Sequence, residues 1–529
     1  MRNKKLQVWL PLIFAIVMIL GMFFGYKLHE QTGSKGFFTK ERGGSLAEAL
    51  EIIRRNYVDS VRMDSLEGKA IREMINELDP HSYYLPPVDV VEAKHELEGN
   101  FEGIGVEFNV FDDTVNVIYV IAGGPSDKAG MQVGDKILKV NGSPLTGRVF
   151  ETDEIKKVIR GERGSTASLL VLRDKDEVTL NVTRGSIPVS SIDAAYMIDK
   201  TTGYIKLNKF TKNSYEEFMQ SLERLQKEGL QNLIYDLRGN GGGFMEEAVE
   251  MADEFLDGDK LIVYTKGVNS KKREYKCRRP GLFEKGKLTI LIDELSASAS
   301  EVLAGALQDW ERATIIGRRS FGKGLVQEQF DLSDGSAIRL TIARYYTPLD
   351  RSIQRPYEKG RKVYMDELWE RYSNGELLSA DSNKIHNGKE YKTHSGKLLY
   401  GGGGIMPDIF VPIDTTRYQQ RVNRLLVNGK FSKSVYTYYL QHRQQIEQYK
   451  TAGDFAANFN DVEGMWMGLT KIAAADSVNL STISEEDKQD LKQRLKALLA
   501  RYKWRNPGFF QVLNVDDAMV KKSLEVMAK

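Results

Sequence analysis

The sequence predicts a multi-domain α/β + β protein: an N-terminal anchor, a helical segment, a small β-rich module, an α/β core and a helical C-terminal region. Three observations predict it. The chain has 529 residues, more than one hydrophobic core can serve, so about two to four domains are expected. Between about residues 100 and 186, short apolar runs are separated by Gly and Asp, the texture of strands joined by tight turns. From about residue 203, strand-length apolar runs alternate with helix-length amphipathic ones, the pattern of an α/β domain.

At the N-terminus, Arg2, Lys4 and Lys5 precede an uncharged, mostly apolar run over 6–26. About 20 such residues cross a bilayer as a helix, and the basic flank stays on the cytoplasmic side. A cleaved signal peptide would have a shorter apolar stretch and a small-x-small site. The run ends instead in the bulky Gly21-Met-Phe-Phe-Gly-Tyr26, and no cysteine offers a lipid site. The expectation is an uncleaved anchor over 1–27, passing once through the inner (cytoplasmic) membrane. The rest of the chain then lies in the cell envelope, on the periplasmic or extracytoplasmic side.

A polar, Gly-rich linker follows over 28–44. The helical segment, 45–97, is predicted from Leu46, Leu50, Ile53 and Tyr57 and from Leu66, Ala70, Ile71, Met74 and Leu78, with a stop at Asp79-Pro80. The β-rich module, 98–186, has strands predicted over 104–108, 115–120, 136–140, 167–173 and 177–182, and a short helix over 154–159. The α/β core, 187–415, has strands near 203–207, 233–237, 288–292, 314–316 and 336–345. Its helices fall near 215–228, 246–255 and 301–310. Residues 354–400 are polar and charged and read as an insertion that interrupts this core. In the C-terminal region, 416–529, Leu491, Leu495, Leu498, Leu499 and Tyr502 share one helix face, and Ser484 with Asp487 could cap its start.

Composition narrows the function classes. Seventy-five basic and 73 acidic residues are spread along the chain, a net charge of +2, which leaves no basic footprint for nucleic acid. The single cysteine, Cys277, excludes an internal disulfide and any cysteine-based zinc site.

Two stretches carry chemistry. In Asp293-Glu-Leu-Ser-Ala-Ser-Ala-Ser-Glu-Val302 an apolar strand runs through small residues into a helix. A serine at such a junction sits where free N–H groups and the helix dipole favour negative charge, as the oxyanion of acyl transfer requires. Helix capping alone would also explain these serines. In Gly317-Arg-Arg-Ser-Phe-Gly-Lys-Gly324, one lysine lies among glycines directly after a strand. The spacing imitates a nucleotide-binding loop, but Gly324 stands where Ser or Thr would hold Mg²⁺, and the next residues look extended rather than helical. No nucleotide is therefore expected. As a general base, Lys323 would have to lose about 3 pKa units, roughly 4 kcal/mol, which burial can supply. None of the six histidines has a neighbourhood that suggests a triad, so a Ser–Lys pair is the economical choice.

These stretches resemble the signature of the C-terminal processing (tail-specific) serine peptidases. The resemblance covers about 46–413 and includes Leu78-Asp-Pro-His-Ser82, Asp236-Leu-Arg-Gly-Asn-Gly-Gly-Gly243, Ser296-Ala-Ser-Ala-Ser-Glu301, Phe321-Gly-Lys-Gly324 and Gly404-Ile-Met-Pro-Asp408. It implies a ClpP/crotonase-like core with an inserted PDZ-like module. The nucleophile implied is Ser298, before Ala-Ser-Glu; the base is Lys323, twenty-five residues on; and Gln327 orients the lysine. Ser300 then reads as the helix cap and Ser296 as a minor rival. The N–H of Gly242 or of Gly243, with that of Ala299, is implied as the oxyanion hole.

The β module resembles a bacterial PDZ domain, through Phe101-Glu-Gly-Ile-Gly-Val106, Ala122-Gly-Gly-Pro-Ser-Asp-Lys-Ala-Gly-Met131 and Val133-Gly-Asp-Lys-Ile-Leu-Lys-Val-Asn-Gly142. Such a module takes a peptide tail as an added edge strand. Phe101, Gly103, Ile104, Gly105 and Val106 are the residues implied for the tail. The expected function is endopeptidase cleavage of exported proteins with accessible apolar C-termini, without metal or cofactor. A homo-oligomer or a regulatory partner is compatible with the chain. The alternative from another class is a non-catalytic, PDZ-bearing envelope scaffold on a peptidase-like fold.

Overall fold

A computed structural model describes residues 9, 11, 14–24, 44–146, 151–379, 388–413 and 420–529. They fall into two compact units, Met1–Glu73 and Met74–Lys529.

In the first unit, residues 14–24 are helical and Ser45–Asn56 forms a second helix, with Glu51 paired to Arg54 and Arg55. The membrane anchor expected over 6–26 gains no support here. Among the described residues no helix is long and apolar enough to cross a membrane. The remainder of that expectation, and the linker up to residue 43, lie outside the described residues.

In the second unit, the β module is an antiparallel sheet. Its main path runs Val106–Phe111, Thr114–Val120, Lys136–Val140, Thr166–Arg173 and Asp176–Thr183. Val115, Val117, Ile137, Val140, Leu169, Val171 and Val182 are buried on the inner side of these strands, at alternate positions except across the register shift after Ile137. Helix Thr152–Ile159 closes this core with Ile155 and Ile159, one turn apart. Val106–Phe111 ends the strand path, so one of its edges is unpaired among the described strands. A two-stranded ribbon, Asn100–Gly103 against Gly185–Pro188, joins the module to the rest.

The core carries a six-stranded sheet in the order Ile192–Met197, Thr202–Leu207, Asn232–Asp236, Lys287–Ile292, Thr314–Gly317, Ile409–Phe410. All pairings but the first are parallel. Its strands read as continuous apolar runs because both faces are covered. Ile205, Leu207, Leu233, Tyr235 and Ile290 pack in one cluster with residues of helices Ser214–Lys227, Met245–Asp253 and Ala299–Asp309. Tyr204, Ile234, Leu291 and Ile316 face the other way, onto Met519, Val520 and Met527 of helix Ala518–Ala528. A second, antiparallel sheet gathers Tyr83–Leu85, Ala337–Tyr346, Leu261–Lys266 and Arg273–Lys276, with Leu325–Asp331 beside Ala337–Tyr346.

The polar segment expected as an insertion is built into the core over its described part. It forms helix Arg361–Ser373 and the hairpin Glu390–Lys392/Leu398–Tyr400, and it buries Arg355 and Arg371 to 1% exposure each. Residues 380–387 lie outside the described residues.

The C-terminal helices Lys430–Glu447, Ala452–Asn458, Val462–Ala475 and Glu485–Leu513 build an apolar core that also takes in Phe111 and Ile118 of the β module. Ser484 accepts from the Asp487 N–H at 3.0 Å, so the predicted cap forms. The last of these helices runs on past its expected end and kinks at Arg505 (φ 60°), two residues before Pro507. From that kink it reaches both neighbours. Arg505 and Arg501 pair with Glu107 of the β module, and the Arg505 guanidinium lies 3.4 Å over the Tyr119 ring. Asn506 donates to Asp193, and beyond the helix Asp517 pairs with Arg238 of the core at 2.8 Å.

Candidate active site

Strand Lys287–Ile292 ends in a tight turn that leads into helix Ala299–Asp309. Two of the three competing serines are committed within this turn. Ser296 Oγ donates to the Leu237 carbonyl at 2.9 Å, and Ser300 Oγ to the Asn240 carbonyl at 2.9 Å; both serines are fully buried. The cap expected at Ser300 does not form there. Ser298 holds that position, and its own N–H donates to the Glu301 carboxylate at 2.8 Å. Ser298 has φ 57° and ψ −115°, a conformation costing about 1–3 kcal/mol that surrounding contacts must hold.

Those contacts centre on Glu301. Its carboxylate, 1% exposed, accepts the N–H groups of Ser298 (2.8 Å), Gly322 (2.7 Å) and Lys323 (2.8 Å), and the Ser320 hydroxyl. Burial pushes its pKa up, and these donors oppose the shift. One side chain thus pins both the Ser298 turn and the 320–324 loop. Tyr345 does the same from the second sheet, its hydroxyl donating to the carbonyls of Ser298 (3.1 Å) and Lys323. The sequence reading missed both roles. The spacing Ser298-x-x-Glu301 is a capping-box pattern that could have flagged the glutamate.

Lys323 Nζ donates to Gln327 Oε1 at 2.8 Å, and Gln327 Nε2 in turn donates to the His81 carbonyl. Burial, and secondly the Arg339 charge, push the Lys323 amine down to about 8. The Gly322 and Lys323 N–H groups that a phosphate would need are held by Glu301, and the loop leads into strand Leu325–Asp331 rather than a helix. His81 lies closer to this site than its place in the sequence suggested. Its ring Nε2 is 2.8 Å from the Tyr364 hydroxyl, and burial, then the Lys323 charge, push its pKa down to about 3. The ring is neutral at any ordinary pH; its carbonyl is what serves Gln327.

The glycine loop after strand Asn232–Asp236 supplies the facing wall. Asp236 is fully buried, and the charge of Arg238 holds its carboxyl well below the usual range against the cost of burial. Gly242 has φ 100°, and a Cβ there would sit 2.8 Å from Ser298 Cβ; at Gly243 (φ 145°) it would sit 2.0 Å from the Phe210 carbonyl. Only glycine fits either place. The Gly242 N–H donates to Asn240 Oδ1 at 2.8 Å, whereas the N–H groups of Gly243 and Ala299 have no acceptor among the described residues. Asn240, fully buried, was also missed by the sequence reading.

Ser298, Lys323, Gln327, Gly242, Gly243 and Ala299 all line one cavity of about 650 Å³, with Leu97, Phe244, Met245, Val302 and Leu325 among its apolar walls. The residues expected to hold a tail lie elsewhere. Phe101 and Gly103 are paired in the ribbon with Ile187 and Gly185, and Phe101 faces the Arg160 guanidinium at 5.5 Å. The Ile104 and Gly105 carbonyls accept from Ser126 and Ile121 within the β module, and Val106 begins its free edge strand.

Comparison with known proteins assigns the class. Residues 201–360 match the model of peptidase family S41, residues 103–183 that of a PDZ domain, and residues 422–505 that of a family of unknown function. The molecule is a serine-type peptidase, a hydrolase of peptide bonds, with a PDZ domain and a helical C-terminal region. The carboxy-terminal processing protease CtpB of Bacillus subtilis is 30% identical over 67% of this chain and 74% of its own. The carboxyl-terminal-processing protease of a Picosynechococcus species is 36% identical over 54% and 70%, respectively. A probable CtpA-like serine protease of Staphylococcus epidermidis is 29% identical over 82% and 89%. The chain belongs to the carboxyl-terminal processing protease family.

Proposed function

We propose that this peptidase works through Ser298 as nucleophile and Lys323 as general base, on exported proteins whose apolar C-terminal tails enter the PDZ domain. The observation that carries the reading is the setting of Lys323. Its amine opens on the cavity of Ser298 with an uncharged amide as its hydrogen-bond partner, and its pKa of about 8 leaves about a tenth of it neutral at pH 7.

Ser298 Oγ attacks the scissile carbonyl carbon while Lys323 Nζ takes the hydroxyl proton. The oxyanion is received by the N–H groups of Gly243 and Ala299, which have no other acceptor among the described residues. Gly242, its N–H engaged by Asn240, leaves room beside Ser298 instead. The C–N bond breaks as Lys323 returns the proton to the leaving amine, giving an acyl-enzyme and a free tail. Water then attacks the ester, Lys323 takes its proton, and Ser298 is regenerated. Gln327 aims the amine and carries no proton. The free edge of Val106–Phe111 supports capture of the tail as an added strand. The basic and apolar N-terminus supports a membrane anchor that leaves the enzyme on the extracytoplasmic side.

A fluorophosphonate, which esterifies activated serines, tests the assignment. Mass spectrometry should find the adduct on Ser298 and not on Ser296 or Ser300, with a labelling rate that climbs through about pH 8. Labelling elsewhere, or a rate flat across pH 6–9, contradicts it. Arg339 gives a second handle. It lines the cavity, is held by the Tyr83 hydroxyl at 2.6 Å, and its positive charge disfavours the lysine's own. In Arg339→Gln the lysine should hold its proton more tightly, so the rise of kcat/KM with pH should move to higher pH. A profile that stays in place means that Arg339 does not tune the base.

A further inference from the structure

A second cavity, of about 460 Å³, shares no lining residue with the one that holds Ser298. Arg319, Arg355 and Arg371 form its deep wall and are 4%, 1% and 1% exposed. Two carboxylates answer these three guanidinium groups. Glu376 takes both Nε and Nη2 of Arg319 (2.6 and 2.9 Å), and Glu367 is shared by all three arginines. One positive charge is left over. Among the described residues Arg355 Nε, Arg355 Nη2 and Arg371 Nε have no hydrogen-bond partner; the Arg355 guanidinium lies 3.8 Å over the Tyr364 ring, and Arg371 Nε has only a 4.0 Å approach to Glu376. Buried donors are nearly always satisfied, so orphans gathered at one cavity call for an acceptor. The Gly403 N–H on the same wall has no acceptor among the described residues either. The rim charges, Glu358, Glu370 and Lys359, are exposed to solvent and leave the deep excess uncancelled. Burial, then the neighbouring Arg319 charge, push the Arg371 guanidinium down to about 10, against the opposing pull of Glu376 and Glu367.

We propose that this cavity is a binding site for a small molecule bearing an oxyanion, carboxylate or phosphate, received by Arg355, Arg371 and the Gly403 N–H. Guanidinium forks match both groups in shape and charge, and the volume suits a small metabolite. The site adjoins the loop that carries Lys323. Arg371 Nη1 donates to the Ser320 carbonyl at 2.8 Å, the Arg355 N–H to that of Gly322 at 3.1 Å, and the Arg355 guanidinium lies 4.3 Å over the Phe321 ring. An anion here would steady the loop from the side away from the substrate.

The proposal stands independently of the reaction, so it is tested by binding, in the full chain carrying Ser298→Ala. Inorganic phosphate and acetate are titrated at constant ionic strength against chloride, followed by calorimetry and by the thermal midpoint. Saturable binding of one equivalent, with a raised midpoint, is expected. Saturation by phosphate at the lower concentration assigns a phosphate ligand; saturation by acetate assigns a carboxylate. Arg355→Gln should abolish the effect, but that variant could fail to fold. Val363→Trp is therefore added: Val363 lines the rim and is 46% exposed, so an indole there fills the cavity without entering the core. It should leave the unliganded midpoint in place and weaken anion binding at least about tenfold. No saturable effect of either anion, or equal binding by Val363→Trp, overturns the proposal.

Discussion

Lys323→Ala is expected to lower kcat/KM for an unfolded protein substrate by about 10³–10⁴-fold, while affinity for a tail peptide stays unchanged. A nucleophile and base that act as a unit lose nearly everything when either is removed, so Ser298→Ala should fall as far and the double variant no further. The lysine amine donates to Gln327 and to no other acceptor among the described residues, and the side chain is partly buried, so its truncation removes little packing. Lys323→Arg is the sharper control. It keeps a cation and most of the volume, but guanidinium is not deprotonated near neutral pH, and it should be as inactive as the alanine variant. Activity in Lys323→Arg within tenfold of the wild type would rule out the amine as base. Circular dichroism and tail binding check that each variant is folded.

Gly243→Ala is expected to cost about 10²–10³-fold in kcat, the usual loss of one oxyanion donor, with KM little changed. The methyl group would lie 2.0 Å from the Phe210 carbonyl, so the loop must move and its N–H must leave its present direction. The neighbouring anchors, Asn240 on the Gly242 N–H and the hydrogen bonds of Phe210 with Gly242 and Phe244, keep the displacement local. A fall in kcat with tail binding preserved, and with fluorophosphonate labelling slowed but still confined to Ser298, would show that the donor acts on the developing charge. Unchanged kcat would move the oxyanion elsewhere.

Much of this site was legible because its parts are local. The strand-to-helix turn around Ser298, the lysine among glycines and the Gly239–Gly243 loop each announce themselves within about ten residues. What escaped depends on pairing across the chain. Glu301 reads as half of a cap, and nothing nearby shows that the 320–324 loop folds back onto it. Arg355 and Arg371 read as solvated charge because a sequence states polarity, not burial. Strand positions were largely recovered, but their division between two sheets was not, since Leu325–Asp331 and Ala337–Tyr346 look like continuations of the α/β core. Strand Ile192–Met197 was missed outright: its Asp-Ala-Ala centre has little β propensity, and packing decides it.

The kink at Arg505 has a mechanical consequence. A module hung on two strands would ordinarily swing like a door, carrying its captive peptide nearer to or farther from the blade. Here the leaf is bolted at the back as well, by Glu107 to Arg501 and Arg505, while Asn506 and Asp517 of the same stretch grip the frame at Asp193 and Arg238. With hinge and bolt both engaged, the β module is tied to the core at two places; on the proposed capture of a tail by the edge strand, the span from that strand to Ser298 would act as a ruler for the length of tail removed.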